Sequence, residues 1–196
     1  MLDEALADGR IDVTAPSRLP DWTVGHVLTH LARNADSIVR VLEGSARGET
    51  VERYVGGHAG RAAGIEAGAS RPAAAQVDDV RSTIWRLEQT WSGDVNWDGR
   101  SLEVGGRDMA IRQLPHQRRR EVEVHRVDLG LGYEPVDWPA EYVRLELREL
   151  EMRWAARRPM GLTGLPAEAL AVPPHVRLAW LLGRQDIEGL EPAGVM

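Results

Sequence analysis

Between Trp22 and Glu43 the apolar side chains Val24, Val27, Leu28, Leu31, Ala35, Ile38, Val39 and Leu42 recur at steps of three and four. That spacing matches the turn of an α-helix and places all eight on one stripe. A stripe this long is stable only when other elements cover it, so it predicts a helical bundle. Pro16 and Pro20 mark the connector before it. Asp21 fits an N-cap, and Gly44 fits a stop just past the last turn.

The rest of the chain continues the pattern. Residues 1–10 suit a short helix ended by Gly9. Residues 45–75 are rich in Gly, Ala and Arg, and "HAGRAAGIEAGA" has helical character despite four glycines between 56 and 64. Residues 76–92 predict a second clear helix with Val77, Val80, Ile84, Leu87 and Trp91 as its stripe. "SGDVNWDGRSLEVGGRD" is a turn-rich connector with a short hairpin around "WDGRSLEV". Residues 108–131 predict a third long helix, in which Pro115 either makes a kink or marks the true start. Pro139 suits the first position of a fourth helix reaching about Arg157. "RRPMGLTGLPAEALAVPP" reads as a loop with one helical turn, and "HVRLAWLLGR" as a last short helix. The expected fold class is mainly α, with a metal-capable bundle over 1–132 and a short, mostly helical region over 133–196.

Composition narrows the chemistry. The chain has 196 residues, a net charge of −6 and no cysteine. An acidic balance without a basic face argues against nucleic acid and anionic membrane as partners. Without cysteine there are no disulfides, no Cys-ligated zinc and no cysteine nucleophile, so any thiol chemistry needs a thiol brought in from outside. No apolar run reaches the length of a membrane span, and "MLDEALADGR" lacks a signal-peptide core; a cytoplasmic protein is expected. Phe is absent and seven Trp are spread along the chain; most are expected to be core anchors. The sequence leaves monomer and homodimer open.

The histidines carry the functional signal. His26 and His30 are one turn apart on the predicted helix. With Leu31 as the centre of the stripe, His30 lies about 100° round the helix, beside Val27 and Asn34, and His26 about 40° further toward solvent. In "REVEVHRVDLG", Glu121 and His125 are also one turn apart. Alone, that pair reads as a surface ion pair as readily as half of a metal site. With His30 on a facing helix, it completes two imidazoles and one carboxylate. That set suits Zn²⁺, or another divalent metal, with a fourth position open for water or substrate. Asn34 either lines such a site or hydrogen-bonds inside the bundle. Asp128 is either an outer partner of a ligand histidine or a surface acid. Arg118, Arg119 and Arg120 read as a solvated helix face.

"LPDWTVGHVLTHLARNAD", followed about ninety residues later by "REVEVHRVDLG", resembles the mycothiol-dependent maleylpyruvate isomerase family, within the DinB-like four-helix bundles. "ERYVGGHAGRAAGIEAGAS" is similar to that family's intervening segment, and the likeness covers about residues 15–131. It implies a DinB-like bundle, here with a shortened first helix and a small, reduced C-terminal region. It implies His30, Glu121 and His125 as metal ligands, and mycothiol as a low-molecular-weight thiol cosubstrate. It implies Arg61, after the Tyr, and Arg184, in the "GR" that ends a helix, as the arginines that meet a small-molecule diacid or electrophile. The implied reaction is addition of a thiolate to a cis double bond, rotation and elimination to the trans isomer. The same set would serve an S-transferase, and a bundle that binds metal without catalysis is the third reading.

Overall fold

The computed structural model describes residues 1–157 and 164–195. It divides into two compact units, Met1–Gly132 and Tyr133–Met196. In the first unit, α1 (Leu2–Ala7), α2 (Val24–Ala46), α3 (Gly57–Ala69), α4 (Ala73–Trp91) and α5 (Leu114–Asp128) follow in order. α2 touches α3, α4 and α5, and the short α1 rests on α4. Two clusters flank the middle of α2: Val24, Val27, Leu28 and Leu31 meet Val77 and Val80, while Ala35, Ile38, Val39 and Leu42 meet Leu87, Ile111 and Leu114. All eight residues of the stripe are therefore buried.

The ends of α2 differ from expectation. Thr23, not Asp21, is the cap: its side chain accepts from the His26 amide, and the His26 ring accepts from the Thr23 amide. This reciprocal arrangement is a capping box, and Asp21 sits in the turn before it with φ +63. Gly44 does not end the helix. It is buried, and a Cβ there would lie 2.8 Å from a Val51 methyl; the glycine serves close approach. The chain leaves the helix at Gly48, whose φ is +76.

The expected helix over 108–131 begins only at Leu114. Asp108–Ala110 (β2) instead pairs antiparallel with Arg100–Leu102 (β1), with Ser101 opposite Met109. A 3₁₀ turn over Ile111–Gln113 follows, and Pro115 lies in the first turn of α5, where its missing N–H is harmless. On α4 the inner face carries Thr83, while Ile84 and Trp85 point outward; Trp85 is 63% exposed. The tryptophans therefore depart from the core-anchor expectation: Trp138 and Trp180 are buried, but Trp85 and Trp97 are exposed.

The second unit has a 3₁₀ turn over Pro135–Asp137, then α6 (Ala140–Ala155), α7 (Ala167–Ala171) and α8 (Pro174–Leu181). α6 packs on α8, and the core includes Trp138, Tyr142, Leu150, Leu178 and Trp180. The expected loop over 158–163 lies outside the described residues. No helix among the described residues is long and apolar enough to cross a membrane.

Candidate metal centre

Three helices of the first unit build the site: α2 supplies His30, α5 supplies Glu121 and His125, and α3 supplies Arg61. His30 is only 1% exposed. Its Nε2 lies 2.7 Å from Glu121 Oε2, and Arg61 Nη2 lies 3.2 Å from its Nδ1. A guanidinium can only donate. His30 Nδ1 is therefore the acceptor, and the ring proton is on Nε2, donated to Glu121. His125 Nε2 is 3.5 Å from the same carboxylate oxygen. On its far side, His125 Nδ1 donates to Asp128 Oδ2 at 2.8 Å. The two imidazoles meet edge to face, with centroids 4.6 Å apart.

One ligand atom from each of His30, Glu121 and His125 lies within 4.8 Å of the other two. Tetrahedral Zn²⁺, with bonds of about 2.0–2.2 Å, holds neighbouring N and O ligands about 3.3 Å apart. The two distances from Glu121 straddle that value, so the donor set fits a single divalent cation. Electrostatics point the same way. Burial lowers the His30 pKa to about 4, with the neighbouring His125 and Arg61 acting in the same sense. Burial works against ionised Glu121 too, but hydrogen bonds from His125 and His30 outweigh it and hold the carboxyl well below its ordinary value. Burial likewise disfavours charged His125, yet Asp128 and Glu121 prevail and raise its pKa. The centre thus offers an anionic oxygen and a neutral His30 at physiological pH.

Asp128 is completely buried (0% exposed) and hydrogen-bonded to His125, so it is a partner of that candidate ligand and not a surface acid. A carboxylate behind a ligand histidine fixes the ring and raises its basicity. Asp128→Asn keeps the shape and removes the charge. It should weaken Zn²⁺ affinity about tenfold, at the low end of the effect for such partners, measured by competition with a chromophoric chelator. Unchanged affinity would take Asp128 out of the site.

The arginine cluster also needs correction. Arg118 is 5% exposed and Arg120 is buried. Arg118 lies on α5 nearly one turn before Glu121, so it points into the bundle. There it donates to the Leu31 carbonyl at 3.0 Å and to Asn34 Oδ1 at 2.9 Å. Burial lowers its pKa to about 10, with Glu121 pulling the other way. Of the two readings of Asn34, the hydrogen bond inside the bundle is the one observed. His26 serves the helix start and pairs with Glu66 at 3.2 Å. Arg184 belongs to the second unit, where it follows α8 and donates to the Leu182 carbonyl at 2.7 Å.

Trp22 was missed as a site residue. Its ring stands edge-on to His30 at 5.6 Å and stacks on His26 at 6.1 Å, and the Arg61 guanidinium lies 6.0 Å from its centroid. It lies just outside α2, before the Thr23 cap, so helical spacing does not place it; the turn at Asp21 does.

No curated protein matches the chain. Two crystal structures share its fold: the mycothiol-dependent maleylpyruvate isomerase and a histidine-to-alanine mutant of it. Each is 22% identical to this chain, with a TM-score of 0.75, and the alignment covers 94% of this chain and 90% of theirs. The family described as the mycothiol maleylpyruvate isomerase N-terminal domain matches residues 2–130. With the match spanning the whole bundle that carries the three donors, the chain belongs to the mycothiol maleylpyruvate isomerase N-terminal domain family, a family of enzymes.

Proposed function

We propose that this chain is a metal- and mycothiol-dependent cis–trans isomerase of maleylpyruvate type. The observation that carries the reading is the convergence of His30, Glu121 and His125, with Asp128 behind His125. A divalent cation held by these donors supplies Lewis acidity that favours thiolate over thiol. A chain without cysteine needs such an external thiol.

The reaction conserves atoms and electrons. The thiolate forms a carbon–sulfur bond at one end of the cis double bond, and the electron pair moves to the conjugated carbonyl as an enolate. The remaining single bond rotates. The enolate then reforms the double bond in the trans geometry and expels the thiolate.

The chain's own residues prepare this chemistry. A metal on His30 Nε2 requires the ring proton on Nδ1, and a guanidinium cannot accept from N–H. The Arg61 contact with His30 therefore belongs to the metal-free protonation pattern; with a cation held at Nε2, that guanidinium would be free to meet an anion beside the centre. Arg61 is assigned a substrate carboxylate, in the bidentate manner that suits arginine. Trp22 forms an apolar wall next to Arg61.

The test is turnover of maleylpyruvate by zinc-loaded protein with and without mycothiol. Thiol-dependent conversion to the trans isomer is the expected result, and Arg61→Gln should raise KM for the diacid. Loaded protein that alkylates mycothiol with a bimane electrophile but leaves maleylpyruvate unchanged would replace the isomerase by an S-transferase. Loaded protein inactive in both assays would leave a metal-binding bundle without catalysis.

A further inference from the structure

Helix α6 of the second unit places Arg144 and Arg148 one turn apart, and both line a groove of about 520 Å³. Trp138, Val143 and Leu147 give that groove apolar walls, and all three are otherwise buried side chains. Its volume falls in the range of sites that hold small organic ligands, about 300–1,000 Å³.

Charge separates this groove from the rest of the surface. Nearly every arginine among the described residues is paired. Among the described residues, Arg144 and Arg148 are the only two arginines whose side chains have no hydrogen bond, ion pair or ring partner. Arg177, on the opposite wall, is already engaged by Glu151 and by the Ala169 and Leu170 carbonyls. Two like charges at this spacing repel and weaken the helix that carries them. A single carboxylate between them would relieve the repulsion and take up several of their donors. Apolar walls beneath two unpaired guanidiniums match a ligand with an apolar body and an anionic head.

We propose that the α6–α8 groove is a binding site for a small amphipathic carboxylate, whose acid group is gripped by Arg144 and Arg148 and whose apolar body lies against Trp138, Val143 and Leu147. The site is separate from the metal centre in composition and does not depend on the isomerase reading.

Calorimetric titration of the zinc-loaded protein with 2-naphthoate, and with its neutral counterpart 2-naphthamide, tests this. The variant is Arg144→Gln with Arg148→Gln; both positions are exposed, and circular dichroism reports that the variant stays folded. The wild type should show a saturable naphthoate site with Kd below about 1 mM. That site should weaken at least tenfold in the double variant, and naphthamide should bind the wild type at least tenfold more weakly than naphthoate. Any carboxylate binding at the metal centre is common to both proteins and cancels in the comparison. Equal naphthoate binding by the two proteins overturns the proposal. So does naphthamide binding as tight as naphthoate, or the absence of a saturable site in the wild type.

Discussion

Glu121→Gln should leave the protein folded and without its metal. The amide keeps the shape of the side chain and one oxygen but loses the charge. In the wild type the carboxylate is the only anion among the three donors, and its Oε2 is shared between His30 Nε2 at 2.7 Å and His125 Nε2 at 3.5 Å. Asp128 does not replace it, because Asp128 faces the far nitrogen of His125. With Arg61 and Arg118 close by, removal of the Glu121 charge turns the local field positive, which repels a divalent cation. The loss should exceed the roughly 100-fold that removal of an outer partner can cost. The fold should survive because the Glu121 side chain is 31% exposed, so water can satisfy the amide. Elemental analysis after dialysis should find about one zinc per chain in the wild type and almost none in the variant. Retention of wild-type zinc by Glu121→Gln would remove this residue from the ligand set. Glu123→Gln is the companion. Glu123 is buried and lies 3.6 Å from Arg126, so its loss should lower stability and leave zinc content unchanged.

What could be read in the sequence follows from which signals are periodic. The stripe of α2 was legible because eight side chains repeat one rule, and every one is buried. The three candidate ligands were legible because one-turn spacings, Glu121 to His125 on one helix and His26 to His30 on another, survive in one dimension. Arg118 was not. Three consecutive arginines look solvated, and only the fold shows that the Leu31 carbonyl and the Asn34 amide oxygen lie inside the bundle where one of them reaches. The start of α5 failed for a related reason. Residues 108–110 have acceptable helical character, but strand pairing with 100–102 is a contact that local periodicity does not carry. The four glycines between 56 and 64 were read as weakening a helix, yet α3 runs through three of them. One, Gly60, stands where a Cβ would fall on the Val55 carbonyl, and Gly68 further along permits close approach too, since a Cβ there would lie 2.5 Å from the Thr29 methyl.

Gly25→Ala should be among the most damaging single-methyl additions in the chain, although alanine is the better helix former. In an unconstrained helix interior the exchange stabilises by about 0.5–1 kcal/mol. Gly25 is on the second residue of α2, and a Cβ there would fall on the carbonyl oxygen of Ala69, at the end of α3, with Gln76 Nε2 at 2.9 Å and the Val13 carbonyl at 3.0 Å. The Ala69 carbonyl is backbone, and it already accepts from Gln76 Nε2 at 2.8 Å. The Gly25 amide in turn donates to the Val13 carbonyl. The nearest atom is a backbone oxygen, which cannot swing aside as a side-chain end can, so α3 has to move or α2 has to unwind at its start. Overpacking of this kind costs about 1–3 kcal/mol and sometimes more, which outweighs the propensity gain. With a loss of about 3 kcal/mol, the melting temperature should fall by roughly 6–12 °C for a domain of this size. Because α3 also carries Arg61, a displaced α3 takes the guanidinium away from its place beside the centre. The folded fraction should therefore keep its zinc while KM for an anionic substrate rises. Urea unfolding gives the stability change directly, and a Gly25→Ala protein as stable as wild type would mean that α2 and α3 do not approach as closely as described.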